Sequence, residues 1–148
     1  MVECQPEEHF PERGPERSDG EKLAQVTRAM VHLMKEFFGK GPTKARTSWA
    51  GDDALICIMG GGFTPVEQTL YEAGRGEAVH QMRHAVQTAM EERLRLEVED
   101  IIGRRVVAFM SASHQHPDVA CDVFLLEPKL GDVDSPLRAA NQESPSEL

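Results

Sequence analysis

The sequence predicts an α+β domain in the order α-β-β-α-α-β-β, with two β-hairpins in one mainly antiparallel sheet packed against a long helix. Three observations carry this. Two segments, near 19–38 and 77–102, repeat apolar residues at helical spacing. Two pairs of short apolar runs flank turn-forming residues. The connections between all of these are short, which favours local pairing.

The first helix runs from about Asp19 to Phe38. Leu23, Val26, Met30, Leu33 and Phe37 recur at steps of 3, 4, 3 and 4, and Met34 and Phe38 widen that stripe. Gly39 then offers a left-handed cap, and Pro42 prevents resumption. Ala45 to Ala50 and Ala54 to Met59 read as strands around the turn Gly51-Asp52-Asp53. The second of these is apolar at nearly every position, which predicts a central strand covered on at least one face.

MGGGFTPVEQTL, residues 59–70, follows. Thr64 is a good N-cap, Pro65 falls at the first helical position, and Glu67 completes a capping box. This predicts a short helix ending near Ala73. A phosphate cradle at Gly60–Gly62 would need converging N–H donors at the helix start. Yet the stretch lacks the lysine and hydroxyl of a P-loop and the pattern of a dinucleotide fold, and Glu67 puts negative charge where a phosphate would sit. A strand-to-helix corner is the expectation.

The long helix is predicted from Glu77 to Ile102, with Val79, Met82, Val86, Met90, Leu94, Val98 and Ile101 in its stripe and Gly103 as its stop. RRVVAFMSAS and DVACDVFLLE then form a second hairpin across HQHP. A helix of that length spans roughly 39 Å, whereas a domain of this size is roughly 30–35 Å across. The surplus apolar stripe predicts a partner, and a symmetric homodimer is the simplest one. The alternative is a helix that bends or breaks near Arg93 and covers only its own sheet.

The domain is bounded at 19–127. The ends, 1–18 and 128–148, are rich in Pro, Glu and Ser and are predicted to be disordered. Charged residues at 28% and hydrophobic ones at 40% fit a soluble globular protein. No apolar run approaches the roughly 20 residues of a spanning helix, so no direct membrane insertion is expected. The N-terminus lacks a basic segment followed by an apolar one, so no secretory signal is read there. A net charge of −9 disfavours nucleic acid and anionic membrane surfaces as partners. Three widely spaced cysteines, Cys4, Cys57 and Cys121, fit a reducing cytoplasm, with Cys57 and Cys121 as small buried hydrophobes.

Order and spacing of short motifs bring a family into view. After the first helix come Gly39, Gly41, Pro42 and Arg46 as GxGPxxxR, then an apolar strand, then Thr64, Pro65 and Glu67 as TPxE. A glycine break, a long helix with Arg83, and Gly103 and Val106 opening a hairpin complete the set. Over about 20–127 this resembles the MpsC-like family. GGGF departs from that pattern, which more often has a single Gly, or a charged residue with Leu, before TPxE. The resemblance implies a small soluble domain, in some genomes encoded beside a membrane system linked to bicarbonate supply or membrane potential, with no established enzymatic activity.

Chemistry candidates are few. His80 and His84 have the i, i+4 spacing of two metal ligands, and His114 and His116 lie in the second hairpin loop, but HExxH is absent and Arg83 adjoins the helical pair. No metal, cofactor or catalytic residue is assigned. Ser111, Ser113 and His114 are sequence neighbours, which is not triad geometry. Glu91 and Arg95 form an i, i+4 pair on a mixed-charge stretch that reads as a wet face or a subunit interface. Arg46, Thr64, Glu67 and Arg83 are the candidate ligand-binding set. Either Arg46 pairs with the Thr64–Glu67 corner as a structural ion pair, or the arginines bind a small bicarbonate-like anion. The expected function is a non-enzymatic cytoplasmic accessory or regulatory domain working through protein contacts, with a small-anion sensor as the alternative.

Overall fold

The computed structural model describes residues 18–129. Both terminal segments expected to be disordered lie almost wholly outside the described residues. Ser18, assigned to the first of them, instead belongs to the domain: its hydroxyl accepts the Glu21 N–H and caps the first helix.

Seven elements follow in the predicted order: α1 (Asp19–Phe38), β1 (Lys44–Ala50), β2 (Ala54–Gly60), α2 (Pro65–Glu72), α3 (Gly76–Ile102), β3 (Val106–His114) and β4 (Val119–Leu126). Gly39 and Gly103 close α1 and α3 in left-handed conformations. The strands form one antiparallel sheet in the order β1-β2-β4-β3, so each hairpin keeps its own pair and the join falls between β2 and β4. The two most apolar strands therefore sit in the middle.

Alternation along these strands sets two different faces. Leu55, Cys57 and Met59 of β2 and Phe124 and Leu126 of β4 point to the helices and are buried. They pack with Val26, Met30, Leu33 and Met34 of α1 and Met90, Leu94, Val98 and Ile102 of α3 in a single cluster. Burying side chains of this size contributes about 1.5–3 kcal/mol each. The opposite face carries Ile56, Ile58, Cys121, Val123 and Leu125 on the central strands, all half-buried, and Met110 on β3, which is 53% exposed.

That arrangement changes where a partner would sit. The α3 helix is unbroken, and its buried residues, Val79, Arg83, Gln87, Met90, Leu94, Val98 and Ile102, run its full length. Leu96 is its one large exposed hydrophobe among the described residues. The expected surplus of apolar stripe on α3 is thus absorbed by α1, α2 and the sheet. The alternative of a break near Arg93 is not seen, since the helix continues through it, and Arg93 reaches across to Glu36 of α1 at 3.2 Å. The surface left apolar is the outer face of the sheet.

Candidate functional site

The glycine stretch turns the chain from β2 into α2. Gly61 has φ +73°, and a Cβ there would collide with the Thr43 hydroxyl, so the close passage of the two segments requires glycine. Backbone bonds pin the crossing: Thr43 N–H donates to the Gly60 carbonyl at 2.9 Å, and Gly61 N–H donates to the Asp118 carbonyl at 3.2 Å.

The capping box closes as expected. Thr64 Oγ1 accepts the Glu67 N–H at 3.2 Å, and Glu67 Oε1 accepts the Thr64 N–H at 3.0 Å. Glu67 is fully buried and has a second oxygen to satisfy. Arg83, itself only 8% exposed on α3, supplies the donor: its Nε lies 2.5 Å from Glu67 Oε2. The same guanidinium donates from Nη1 to Asp118 Oδ1 at 2.9 Å. Asp118 completes its own set by accepting the Phe63 N–H on Oδ2 at 2.8 Å. The Phe63 ring lies under the guanidinium, 4.6 Å from its carbon. Every carboxylate oxygen in the cluster is therefore bonded. Burial pulls the Arg83 pKa down, but the bonds to Glu67 and Asp118 outweigh it and push it up, so the cation is locked in place.

The positions a bound anion would take at this corner are filled by the protein's own carboxylates. Of the four candidate residues, Thr64, Glu67 and Arg83 come together, but Arg46 does not join them. It pairs with Ile58 across β1–β2, has the opposite parity to the inward-facing Trp49, and is exposed on the outer side of the sheet. The expected approach of Arg46 to Thr64 and Glu67 is corrected accordingly: the carboxylate that shares Arg83 with Glu67 is Asp118, from the loop before β4.

Beside this cluster lies a cavity of about 50 Å³ between α1, α3 and the end of the sheet. Met34, Phe38 and Met59 form its apolar wall, and Arg83, Gln87 and Ser113 its polar one. Lys40, at the rim, donates to the Phe63 carbonyl at 3.0 Å.

The histidines are dispersed. His80 and His84 are exposed on α3. His114 Nδ1 lies 2.9 Å from the Pro117 carbonyl, and His116 stacks on Tyr71. Among the described residues, no group of three or more His, Cys, Asp or Glu side chains is arranged to hold a metal ion. Nor does any described helix have the length and apolarity to cross a membrane.

A second polar feature went unread in the sequence. Thr47, Cys57, Asp122 and Ser111 stand opposite one another in a row across all four strands, beneath the helices. Thr27 of α1 caps the row, its hydroxyl 2.8 Å from Thr47 Oγ1. Ser111 Oγ donates to Asp122 Oδ1 at 2.5 Å, whereas Asp122 Oδ2 is buried with no hydrogen-bond partner. Burial pushes the Asp122 carboxyl up to about 6, the Ser111 bond only partly opposing it. Cys57 is accordingly not in purely apolar surroundings, and Cys121, expected to be buried, is half-buried on the outer face.

The model of the family described as "Na+-translocating membrane potential-generating system (MpsC)" matches residues 18–128. The chain belongs to the MpsC family. No curated protein and no solved structure gives a significant match. The motif residues from Gly39 to Val106 all lie inside the matched MpsC region, and they include both Glu67 and Arg83. The family description ties the domain to a membrane-potential-generating sodium system.

Proposed function

We propose that this MpsC-family chain is a non-enzymatic cytoplasmic accessory or regulatory domain that acts through protein–protein contacts and does so as a homodimer. Its service is to a membrane system concerned with membrane potential or bicarbonate supply. The family description supports the context. The single observation that carries the mode of action is the outer sheet face.

A sheet with one wet face alternates apolar and polar residues, but β2 is apolar on both faces and β4 is too, except for Asp122 on its helix side. Ile56, Ile58, Cys121, Val123 and Leu125 form a continuous patch with no charged side chain on the two central strands. Lys44 and Arg46 stand at its β1 edge, where they would remain on a wet rim. Four strands about 4.8 Å apart and seven to nine residues long project roughly 500 Å². Side-chain relief raises the accessible area toward the ~800 Å² per partner of a standard interface. A second copy offers the same uncharged face, so two sheets can stack as in a sandwich.

Arg83 is the cation on which an anion sensor would rest. A bicarbonate-like anion would have to displace Glu67 or Asp118 from it, so the protein-contact reading takes precedence over the sensor. Light scattering on the full chain tests the dimer: twice the chain mass is expected, falling to the chain mass in Val123→Lys and in the edge variant Met110→Glu. A native monomer at tens of micromolar, or a dimer indifferent to both changes while circular dichroism shows them folded, would sink the reading. Thermal shifts with bicarbonate separate the two functions, since a sensor is stabilised by its ligand and an adaptor is not.

A further inference from the structure

We propose that the cavity beside Arg83 is a binding site for a small uncharged molecule with an apolar body and one amide-like or hydroxyl-like end, held by Gln87 and Ser113. The argument begins on α3. Its buried stripe is apolar except at Arg83 and Gln87, which follow one another at i, i+4 and so share a face. Arg83 is explained by its two carboxylates. Gln87 is not explained by the fold: it is 9% exposed, it lines the cavity, and it has no hydrogen bond to any described residue. Its amide is not sealed from solvent, since among the described residues Asp122 Oδ2 is the fully buried side-chain polar atom without a partner, so the Gln87 amide is open to a partner that enters the cavity. Ser113, on the facing strand, also lines the cavity and has no side-chain hydrogen bond to a described residue. Two polar side chains thus line one space from opposite layers.

Charge selects the class of ligand. Glu67, Arg83, Asp118 and Lys40 sum to zero, and Arg83 is bonded to both Glu67 and Asp118. An anion entering would break that cluster, and a cation would face the committed guanidinium. A neutral molecule disturbs neither, and can both donate to and accept from the Gln87 amide. Met34, Phe38 and Met59 supply the apolar wall, and methionine adapts to irregular shapes. About 50 Å³ is several times the ~10–15 Å³ one water requires, which sets the ligand at a few heavy atoms.

Acetamide and acetate make a matched pair of probes, equal in shape and opposite in the property at issue. Full-length protein labelled at the methionine methyls and side-chain amides is titrated with each at constant ionic strength, followed by NMR. Acetamide is expected to shift the Met34 and Met59 methyls and the Gln87 amide saturably in the millimolar range typical of so small a ligand. Gln87→Leu should weaken that response about tenfold or more, the loss of one good hydrogen bond, and Ser113→Ala should do so several-fold if Gln87→Leu fails to fold. Acetate or bicarbonate shifting the same signals at equal or lower concentration would overturn the proposal in favour of an anion site. Silence toward acetamide, or an undiminished response in the variants, would leave a cavity that holds water alone and would overturn it equally.

Discussion

Asp118 and Asp122 lie one before and one within β4, four residues apart, yet their surroundings differ in kind. Asp118 sits where loop, corner and helix meet. Each of its oxygens is bonded, one by a guanidinium and one by a backbone N–H. Asp122 lies deeper, with a hydroxyl on one oxygen and nothing on the other. The first carboxylate is part of a closed circuit of opposite charges. The second is a desolvated acid that its surroundings favour in the protonated form. Buried charge is tolerated at one place and discouraged at the other because only one has a cation within reach.

Removing that cation should have the largest effect. Arg83→Met leaves Glu67 buried without a counter-charge, at a cost of about 3–5 kcal/mol. Denaturant unfolding at fixed chain concentration and neutral pH measures it. Adding Glu67→Gln should recover part of the loss, giving a coupling of roughly 0.5–3 kcal/mol in the double-mutant cycle. A loss under about 1 kcal/mol would mean the cluster behaves as a screened surface pair, and the contrast with Asp122 would collapse.

Asp122→Asn should act in the opposite direction. The folded-state value near 6 exceeds the ordinary 3.8, so the native chain holds its proton where the unfolded chain has released it. Stability contributed by this group is therefore full below about pH 4, declines between about 4 and 6, and is lost above that. The shift corresponds to about 3 kcal/mol, part of which the asparagine gives back through its own buried N–H₂. A net gain of about 1–2 kcal/mol is expected at pH 8, vanishing near pH 4, read as the difference between variant and native urea curves across that range. A gain independent of pH would show that packing, and not ionisation, separates the two aspartates.

Much of this fold was legible, and the misses have identifiable causes. Helix periods, the capping box and the apolar β2 depend on residues near one another in sequence, where spacing speaks directly to structure. The face of Arg46 was legible too: Trp49 must point inward, and an odd separation along a strand places Arg46 outward. Asp122 shares parity with Phe124 and Leu126, so its burial was equally open to that argument. Asp118 was not legible, because its partner Arg83 is 35 residues away and a loop carboxylate carries no periodicity. The length of α3 suggested a surplus stripe, but α1, α2 and the sheet cover it. Apolar residues on both parities of β2 and β4 were the better sign of an uncovered face.

The smallest expected effect compares two cysteines across the same sheet. Cys57 faces the helices and is fully buried; burial pushes its thiol up to about 11, with the Thr47 bond opposing and the Asp122 charge adding a lesser push. At pH 8 its thiolate fraction is on the order of one in a thousand, so alkylation by iodoacetamide should be slow. Asp122→Asn should quicken it by less than about tenfold, because burial outranks that charge. Cys121, on the outer face, is also shifted upward by burial and by Asp122, but it is half-buried in the single chain. Burial in its own chain is one source of protection, and a stacked second sheet would be another. If sheets stack in the dimer, dilution should speed labelling of Cys121 and leave Cys57 unchanged, with peptide mapping keeping Cys4 separate. Equal rates at the two positions, unmoved by dilution, would mean that the two faces of the sheet do not differ in what covers them.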